Sequence, residues 1–303
     1  MQKNTSIRSP FFYVGDKYKL MPEIKKYFPD KIRTYVEPFV GGGSSFLNIN
    51  AEKYLLNDID MYVIELHKYL SSFSENQKEL LDILYGLIDK YGLSCSYKGV
   101  LVPDELKKQY VKTYYAKFNK NPYNQMKTDF NNNHSDMPLL YLLIIYGFNH
   151  MIRFNNSNLF NLPVGNVDFN KNVYNAIINY TNFVKGKEIH FFNMDYQTFL
   201  QDLDLSDQDL VYLDPPYLIS MSEYNKLWNE TKEKELCSFL DTLNSQGVRF
   251  AITNLITHKE KENTIFLEWA EKYNIHPINS NYISFNDNTI KHTSKEVLVT
   301  NYE

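Results

Sequence analysis

The sequence predicts a doubly wound α/β fold: a mostly parallel sheet with helices on both faces and an inserted, mainly helical domain. Short β-branched and aromatic runs alternate with helical segments in the first and last parts of the 303-residue chain, which is the pattern of βαβ units. Between about residues 75 and 187 the alternation gives way to helices and Asn-rich loops. We therefore expect the sheet from residues 1–74 and 188–303 and the inserted domain from residues 75–187.

The first predicted elements are a strand, a tight turn and a helix. Residues 34–40 (TYVEPFV) form a β-branched and aromatic run that ends at three glycines, and helix-forming residues follow in SSFLNI. Residues 53–60 (KYLLNDID) predict a second strand that ends on acidic side chains. A second helix is predicted by a stripe of side chains at helical spacing: Tyr62, Leu66, Tyr69 and Phe73.

The inserted block contains two helical patterns and an excess of positive charge. The apolar run Leu139–Tyr146 predicts a buried helix, since it is far shorter than the ~20 residues that cross a bilayer. Residues 98–193 carry 11 basic and 6 acidic side chains, although the whole chain has a net charge of −4. This basic region is either a solvated lysine-rich surface or a surface that meets phosphates. Another helix of the inserted block, over residues 105–118, is predicted by side chains that recur every four residues: Leu106, Tyr110, Tyr114 and Phe118.

The alternation of strands and helices returns after the insertion. Strands are predicted within residues 188–195 (EIHFFNMD), 209–217 (DLVYLDPPY) and 249–254 (RFAITN), and helices near 230–243 and 263–273. The extended runs 281–285 (NYISF) and 295–302 (KEVLVTNY) are separated by turn-forming residues and predict an antiparallel C-terminal hairpin at a sheet edge. In a doubly wound sheet, ligands bind beyond the carboxyl ends of the strands.

The glycine turn and an acid after the second strand predict a nucleoside-containing cofactor. Gly41 and Gly43 let the backbone approach a ligand closely, and the N–H groups of a following helix would face that ligand. Asp58 ends the second strand, where an acid can accept hydrogen bonds from both ribose hydroxyls of a nicotinamide or S-adenosylmethionine cofactor. Taken alone, the glycines are also typical of a purely structural turn, and Asp58 of a surface turn.

The most specific chemistry is predicted for residues 214–217 (DPPY), directly after an apolar strand. Two successive prolines cannot continue a central strand, because neither has an N–H group for the ladder. The stiff loop presents the Asp214 carboxylate and the Pro215 carbonyl, two acceptors that can hold both hydrogens of an amino group. Tyr217 offers a flat ring on which a base can stack. A chance DPPY would be a plain turn, but this one caps a strand downstream of a glycine turn.

These motifs resemble those of the Dam-type adenine-N6 DNA methyltransferases (D12 class, alpha group), from near the N-terminus to the end of the chain. Residues 13–20 (YVGDKYKL) resemble the family's opening motif. Residues 36–48 (VEPFVGGGSSFLN) resemble its cofactor loop, and residues 57–60 (NDID) its ribose-binding acid. Residues 153–165 (RFNNSNLFNLPVG) resemble a family stretch of the form Arg-x-Asn-x-x-Gly-x-Phe-Asn-x-Pro-x-Gly.

The sequence departs from the family pattern at two positions. Asp16 replaces a common glycine of the opening motif, and Asn158 stands where glycine is usual in the later stretch. Asn adopts left-handed backbone geometry more readily than most residues, so the shape of that loop is expected to survive.

The resemblance implies a Rossmann-like methyltransferase sheet and a set of site residues. The family also places an acid before the catalytic strand, near the adenine of the cofactor, and residues 193–199 (NMDYQTF) offer Asp195 with Tyr196 there. S-adenosylmethionine, with S-adenosylhomocysteine as product, would be bound by residues of this motif, the opening motif, the cofactor loop and the NDID motif: Tyr13, Gly15, Lys17, Glu37, Pro38, Phe39, Gly41, Gly43, Asp58, Asp195 and Tyr196. The catalytic residues would be Asp214, Pro215, Pro216 and Tyr217. The residues that contact DNA would be Arg153, Asn155, Asn161 and Pro163.

The implied reaction is methyl transfer to N6 of an adenine flipped out of double-stranded DNA, with the inserted domain recognising the target. A cognate restriction endonuclease that acts on the same site is an expected partner. Arg153 has a plain alternative, a contact that staples a loop or a helix end. Other interpretations stay open: methylation of cytosine N4, of RNA adenine or of a protein glutamine amide, a nicotinamide enzyme, or a DNA-binding module without catalysis.

Composition argues against several other classes of protein. Cys95 and Cys237 lie far apart without CxxC spacing, which argues against a disulfide framework or a zinc site, and no metal is expected. The N-terminal residues show no secretory signal, so we expect a cytoplasmic protein without a membrane partner. The 25 Tyr and 20 Phe side chains supply a sizeable core and exclude a disordered chain.

Overall fold

A mixed eight-stranded sheet forms the centre of the computed structural model, which describes residues 6–13, 15–220, 228–278 and 294–303. The order along the sheet is β3-β2-β1-β4-β5-β8-β7, and the short β6 pairs with β5. The first five strands pair in parallel, whereas β8 runs antiparallel to both neighbours, which confirms the predicted sheet. The strands are β1 (Thr34–Glu37), β2 (Lys53–Asn57), β3 (Glu188–Phe192), β4 (Leu210–Leu213), β5 (Arg249–His258), β6 (Lys261–Glu262), β7 (Asn274–Ile278) and β8 (Ser294–Thr300).

The C-terminal edge of the sheet is antiparallel, as predicted, but its described partner strand lies earlier in the chain. Strand β8 pairs with β7, from Asn274 opposite Thr300 to Ile278 opposite Glu296. Residues 281–285, predicted as the first strand of the hairpin, lie outside the described residues.

Apolar side chains alternate along the central strands and fill two cores, one on each face of the sheet. In β4, Leu210 and Tyr212 belong to one buried cluster, whereas Val211 and Leu213 belong to the other. Successive side chains of a strand point to opposite faces, so a strand that is apolar throughout must be covered on both sides. The unbroken apolar run before DPPY is thus accounted for by its central place in the sheet.

Ten α-helices occur in the described part of the chain. The segment 105–118, predicted as one helix, is divided by a turn at residues 110–113, so that prediction was wrong. A step of four residues overshoots one helical turn by about 40°, so a strict four-residue stripe winds around a helix. The helices are α1 (Met21–Ile24), α2 (Met61–Ser72), α3 (Gln77–Tyr91), α4 (Asp104–Gln109), α5 (Tyr114–Asn132), α6 (Met137–Tyr146), α7 (Lys171–Val184), α8 (Tyr196–Gln201), α9 (Glu230–Ser245) and α10 (Thr264–Ala270). Helix α5 buries a different set of side chains: Asn119, Tyr123, Met126 and Phe130.

Two helical predictions near the glycine turn differ in detail. The segment after the glycines forms only a 3-10 turn, Phe46–Asn48. Within the stripe predicted for α2, Leu66 is buried, whereas the aromatic side chains Tyr62, Tyr69 and Phe73 are partly buried at the edge of the core. The centre of the buried face of α2 is formed by other side chains: Val63, Ile64, His67 and Leu70.

The inserted residues share a core with one face of the sheet. Helix α6 is buried at every position from Leu139 to Tyr146, as predicted, and its first turn is capped by Asp136, which accepts a hydrogen bond from the Leu139 N–H group at 3.1 Å. Helix α7 packs an aromatic ring, Phe183, 5.9 Å from the ring of Tyr54 on β2. One buried cluster therefore includes residues of the sheet and of the insertion. Within the described residues, every helix is too short or too polar to span a bilayer.

Candidate active site

The strand order reverses between β1 and β4, which are hydrogen-bonded neighbours that lead into different loops. Strand β1 ends at Glu37 and continues into the glycine turn, whereas β4 ends at Leu213 and continues into DPPY. The carboxyl ends of parallel strands meet at one edge of a sheet, and the point where the order reverses opens a crevice between them. The fold thus brings the two main predicted motifs to the same crevice.

The glycine turn has a backbone that only glycine adopts easily. Gly41 and Gly43 have φ angles of 47° and 80°. A Cβ atom on Gly43 would lie 2.3 Å from the Phe46 ring, whereas one on Gly41 would meet nothing within 4 Å. Gly43 is therefore required by packing as well as by φ, while the backbone at Gly41 borders open space.

The opening motif lies against the same turn. A Cβ atom on Gly42 would lie 2.9 Å from the Cβ atom of Tyr13, and the Ser9 hydroxyl donates a hydrogen bond to the Gly42 carbonyl. Gly15, with a φ angle of 86°, offers its carbonyl to the Lys17 ammonium at 3.3 Å. The predicted residue Tyr13 is thus next to the glycine turn, whereas Gly15 contacts Lys17.

Glu37 is a buried acid with one oxygen left for a ligand. The Ser45 hydroxyl donates to Oε1 of Glu37, and Oε2 has no hydrogen-bond partner among the described residues. Burial raises the pKa of the Glu37 carboxyl well above its usual range, the Ser45 hydrogen bond lowers it, and the nearby Asp214 carboxylate raises it further. Such an oxygen is costly to leave unpaired, so a donor group of a ligand would satisfy it.

The carboxylate of Asp58 fixes the position of the glycine turn. One oxygen accepts the Gly41 N–H group and the other the Asp60 N–H group, both at 2.9 Å. Burial raises the pKa of Asp58 to about 6, although both N–H groups lower it. Each carboxylate oxygen can accept more than one hydrogen bond, so Asp58 can hold the turn and still accept hydrogen bonds from ribose hydroxyls.

Asn57, which sequence analysis missed, ties three loops together. Its side-chain amide donates to the carbonyls of Pro38 and Met194, both at 3.0 Å, and accepts the Met194 N–H group at 3.1 Å. The side chain is fully buried. It therefore fixes the loop after β1 and the loop after β3, which contains Asp195, relative to the end of β2. The available signal was an amide at the end of an otherwise apolar strand.

His67 on α2, also missed, supports the glycine turn from the insertion side. Its Nε2 lies 2.9 Å from the Gly41 carbonyl, and its Nδ1 lies 3.0 Å from the Tyr180 hydroxyl on α7. A carbonyl can only accept, so Nε2 carries the proton and Nδ1 of the neutral ring accepts from Tyr180. Burial lowers the pKa of His67 to about 4, which keeps the ring neutral.

Asp214 is held by three side chains from separate elements. Lys17 lies 2.8 Å from Oδ2, and the hydroxyls of Thr253 and Tyr217 donate to Oδ1 at 2.9 and 3.0 Å. Lys17 was expected to contact the cofactor; the described contacts of its ammonium are to this carboxylate, to Gly15 and, at 3.8 Å, to Glu296. The Asp214 carboxylate is thus fixed in orientation and electrostatically compensated.

Tyr217 connects this network to Glu296 on β8. The Tyr217 hydroxyl also lies 2.8 Å from Oε1 of the buried Glu296 on β8, and the Lys17 ammonium lies 5.0 Å from the Tyr217 ring centroid. The Tyr217 side chain is 5% exposed, and Pro215 is buried while Pro216 is partly exposed. Glu296 was missed because it lies in a strand that sequence analysis interpreted as an edge element.

An aromatic group lies beside the loop that follows β3. Phe39, next to the glycine turn, is 5.2 Å from the Tyr196 ring, and Trp228 lies 6.0 Å from Phe39 and 6.2 Å from Tyr196 between ring centroids. Asp195 precedes Tyr196, is exposed, and caps α8 by accepting the Gln197 N–H group at 2.9 Å. Phe39, Asp195 and Tyr196 are therefore brought together as predicted neighbours, and Trp228 is an addition.

The predicted DNA-contacting residues lie in an irregular hairpin, residues 147–165, in which isolated bridges join Gly147 to Val164 and Phe154 to Phe160. Arg153 donates from Nε to the side-chain oxygen of Asn161 at 2.9 Å and from Nη2 to its carbonyl at 2.8 Å. This is the loop-stapling contact weighed as the alternative for Arg153. Asn155 and Pro163 are exposed, and Asn158 has a φ angle of 57°, which confirms the expected left-handed backbone.

Lys127 on α5, missed in the sequence, lies beside this hairpin. Its ammonium is 3.5 Å from the Leu162 carbonyl, and burial together with the nearby Arg153 guanidinium lowers its pKa. Two cations held close together are relieved by an anion between them. Among the residues that the structure describes, no group of three His, Cys, Asp or Glu side chains could hold a metal ion.

Comparison with known proteins covers nearly the whole chain. The model of the D12 class N6 adenine-specific DNA methyltransferase family matches residues 13–283. The chain is 36% identical over 307 residues to the type II methyltransferase M.FokI of Planomicrobium okeanokoites, with 99% of the chain and 43% of that protein covered. It is 33% identical over 310 residues to the modification methylase StsI of Streptococcus sanguinis, with 98% and 43% covered. The chain thus spans less than half the length of these two relatives.

A third relative has nearly the same length as the chain. The type II methyltransferase M1.LlaDCHI of Lactococcus lactis subsp. cremoris is 24% identical over 311 residues, which cover 100% of the chain and 98% of that protein.

Proposed function

The chain belongs to the D12 class N6 adenine-specific DNA methyltransferase family, and we propose that it transfers a methyl group from S-adenosylmethionine to N6 of an adenine in double-stranded DNA. The observation that supports this most strongly is the Asp214 carboxylate, held by Lys17, Thr253 and Tyr217 at the end of β4. It lies across the strand-order reversal from the glycine turn, where a donor of the methyl group and its acceptor can meet.

The residues around the glycine turn fit S-adenosylmethionine. The unpartnered, buried Oε2 of Glu37 suits the ammonium group of the methionine part, because a cation would both donate to it and compensate its charge. The open space at Gly41 lets the backbone meet the ligand, and Asp58 can accept from the ribose. We assign the same role to most of the remaining members of this set: Tyr13, Gly15, Pro38, Phe39, Gly43, Asp195 and Tyr196. For Lys17 we propose instead that it fixes the Asp214 carboxylate. When bound, S-adenosylmethionine supplies a methyl group on a positively charged sulfur, which is already activated for transfer.

The DPPY loop would hold the target amino group. An adenine inside a duplex is out of reach, so we propose that it is flipped out, at a cost of a few kcal/mol. The Asp214 carboxylate and the Pro215 carbonyl would accept the two amino hydrogens and leave the nitrogen lone pair free to attack. Positioning accounts for most of the rate gain, since the leaving group needs no further activation.

Tyr217 would contribute in two ways. Its hydroxyl orients Asp214, and its ring provides a face for the flipped base. Because the side chain is 5% exposed, a base can stack there only after neighbouring side chains move aside. Pro216 stiffens the loop between Asp214 and Tyr217.

The inserted residues 75–187 would bind the DNA. Lysines of this region would meet phosphates, while Arg153, Asn155, Asn161 and Pro163 lie in the hairpin that we assign to base recognition. Lys127 would strengthen the positive charge beside Arg153. Relatives named as modification methylases support a restriction-modification role with a cognate endonuclease, which we include in the proposal.

The test is sequencing, with modification detection, of DNA from cells that express the wild type, Asp214→Ala or Asp207→Ala. Asp207 is an exposed acid in the turn before β4 and serves as the matched control. We expect N6-methyladenine at a defined DNA word with the wild type and Asp207→Ala only. Three outcomes would contradict the proposal: methylated cytosine in the DNA, unmodified DNA with methyl groups found only in RNA or protein, or equal methylation by Asp214→Ala.

A further inference from the structure

We infer that Trp228 forms a wall of the pocket for the adenine ring of the cofactor, and that the buried Glu233 carboxylate sets the position of the Trp228 ring. This inference rests on the proposed function and extends it to residues outside the four family motifs. Trp228 would act directly on the ligand, whereas Glu233 would be a positioning residue.

The aromatic group supplies the geometry for this inference. Phe39, Tyr196 and Trp228 come from three separate segments, after β1, after β3 and just before α9, and their centroids lie within 5.2 to 6.2 Å of one another. Tyr196 is buried, whereas Phe39 and Trp228 are partly exposed and keep ring surface for a ligand. A planar, aromatic ligand such as adenine matches partly exposed rings at the edge where the strands end.

Trp228 is held by a carboxylate that lies in a buried hydrogen-bond network. Its indole Nε1–H donates to Oε2 of Glu233 at 2.6 Å, and the side-chain amides of Asn254 and Asn263 donate to Oε1, each at 2.8 Å. Glu233 is 0% exposed and lies in the first turn of α9. All three donors are neutral, so the carboxylate is satisfied by directed hydrogen bonds and by the helix N-terminus.

Directed contacts of this kind fix the orientation of a ring more tightly than apolar packing does. A buried carboxylate is expensive, and this one is retained with a directed donor at each oxygen. An apolar residue at position 233 would leave the buried amides of Asn254 and Asn263 without this acceptor and would release the indole edge that the third hydrogen bond holds inward. We therefore assign the network to the orientation of Trp228 toward the cofactor.

The chain contains two tryptophans, so Trp228 can be observed alone. In the Trp269→Phe variant, the remaining emission comes from Trp228; Trp269 itself lies on α10, where it donates to Asp241. We expect S-adenosylhomocysteine and 5′-methylthioadenosine to change the intensity of Trp228 emission and to reduce its quenching by acrylamide. Homocysteine, which lacks the base, should change neither, and the Trp228→Phe variant should show no response from Trp269.

Calorimetry on the same variants separates this inference from the proposed function. Trp228→Ala should weaken S-adenosylhomocysteine binding roughly tenfold, and Trp228→Phe, which keeps an aromatic face, by less than about threefold. In Glu233→Gln, an NH₂ group would face one of the three donors, so we expect shifted Trp228 emission and weaker cofactor binding at an unchanged fold by circular dichroism.

Two results would overturn the inference for different reasons. If S-adenosylhomocysteine binds but Trp228 emission stays constant and Trp228→Ala binds normally, Trp228 has only a structural role and the proposed function survives. If S-adenosylhomocysteine fails to bind the wild-type protein, the proposed function and this inference both fail.

Discussion

The crevice between β1 and β4 and the hairpin that contains Arg153 are built in opposite ways. In the crevice, Asp214 is fixed by residues far along the chain. Thr253, which donates to Asp214, lies 39 positions away, and Tyr217, which also donates to Asp214, contacts Glu296, 79 positions further on. In the hairpin, Arg153 is held by Asn161, eight positions away, and Asn155 by Leu159, four away. The first region has its geometry set by the whole sheet, whereas the second combines local contacts with hydrogen bonds to α5, from Asn131 to Phe160 and from Lys127 to the Leu162 carbonyl.

This difference indicates which residues can change independently. A side chain in the crevice is coupled to several strands, so its replacement should affect chemistry sharply. A side chain in the hairpin is coupled to its own loop and to neighbouring helices rather than to the strand ends, so its replacement should affect DNA recognition while the crevice stays intact.

The largest expected effect is that of Asp214→Asn. The amide keeps the size but replaces one acceptor oxygen with a donor, so turnover should fall by about 1000-fold. Duplex affinity, measured by fluorescence anisotropy, should stay within about twofold because the hairpin is untouched. Comparable losses in turnover and in duplex affinity would show that the two regions are not separable.

The next effect concerns Lys17, which was expected to contact the cofactor and whose ammonium lies 2.8 Å from Asp214. Lys17→Met should lower kcat by up to about 100-fold, because Asp214 loses its fixed orientation. Calorimetric affinity for S-adenosylhomocysteine should change less than threefold. Lys19→Met, at an exposed position, is the control. A matching loss of cofactor affinity would instead favour the direct contact that the resemblance implies.

Arg153 tests whether the hairpin reads bases or merely holds its shape. If Arg153 contacts a base, Arg153→Ala should weaken binding to the target word about tenfold more than binding to other words. Asn161→Ala removes the side-chain oxygen that accepts from Nε of Arg153 but keeps the guanidinium itself, so it should weaken DNA binding less than Arg153→Ala does. Equal effects of both substitutions on all DNA sequences would identify a purely structural staple.

The smallest expected effect is the pH dependence of cofactor binding through Asp58. Its pKa is raised to about 6 in the protein, and ribose hydroxyls would donate to the ionised form. Relative to Asp58→Asn, which keeps Glu37, the affinity of the wild type for S-adenosylhomocysteine should therefore be constant above pH 7 and fall as pH drops through about 6, by about fourfold at pH 5.5. Calorimetry on both proteins across this range measures it. A rise in affinity on acidification would exclude this role.

Sequence patterns predicted the sheet well because its signals are local. Three local patterns each predict a strand end and the loop that follows it: the apolar run before DPPY, the glycine turn and the acid after β2. Strand ends of a parallel sheet converge, so their meeting in space followed from fold class alone. The division of residues 105–118 into two helices could not be seen in the same way, because a four-residue stripe and a true helical face differ only over several turns.

The residues that sequence analysis missed share a different property. Asn57, His67 and Glu296 act through partners that are distant in the chain. Asn57 had a local signal, an amide at the end of an apolar strand, but the immediate neighbours of His67 and Glu296 do not distinguish them from ordinary core or edge residues. A histidine on an apolar helical face is most often a satisfied core residue. Only the three-dimensional contacts show that this one donates to the glycine turn.

The path from Gly41 through His67 to Tyr180 has a practical meaning for protein engineering. Exchange of the whole insertion with that of a relative would withdraw Tyr180 and unseat the imidazole under the glycine turn. Exchange of residues 147–165 alone leaves this path untouched, and a chimaera with that boundary should melt in one calorimetric peak near the parent's.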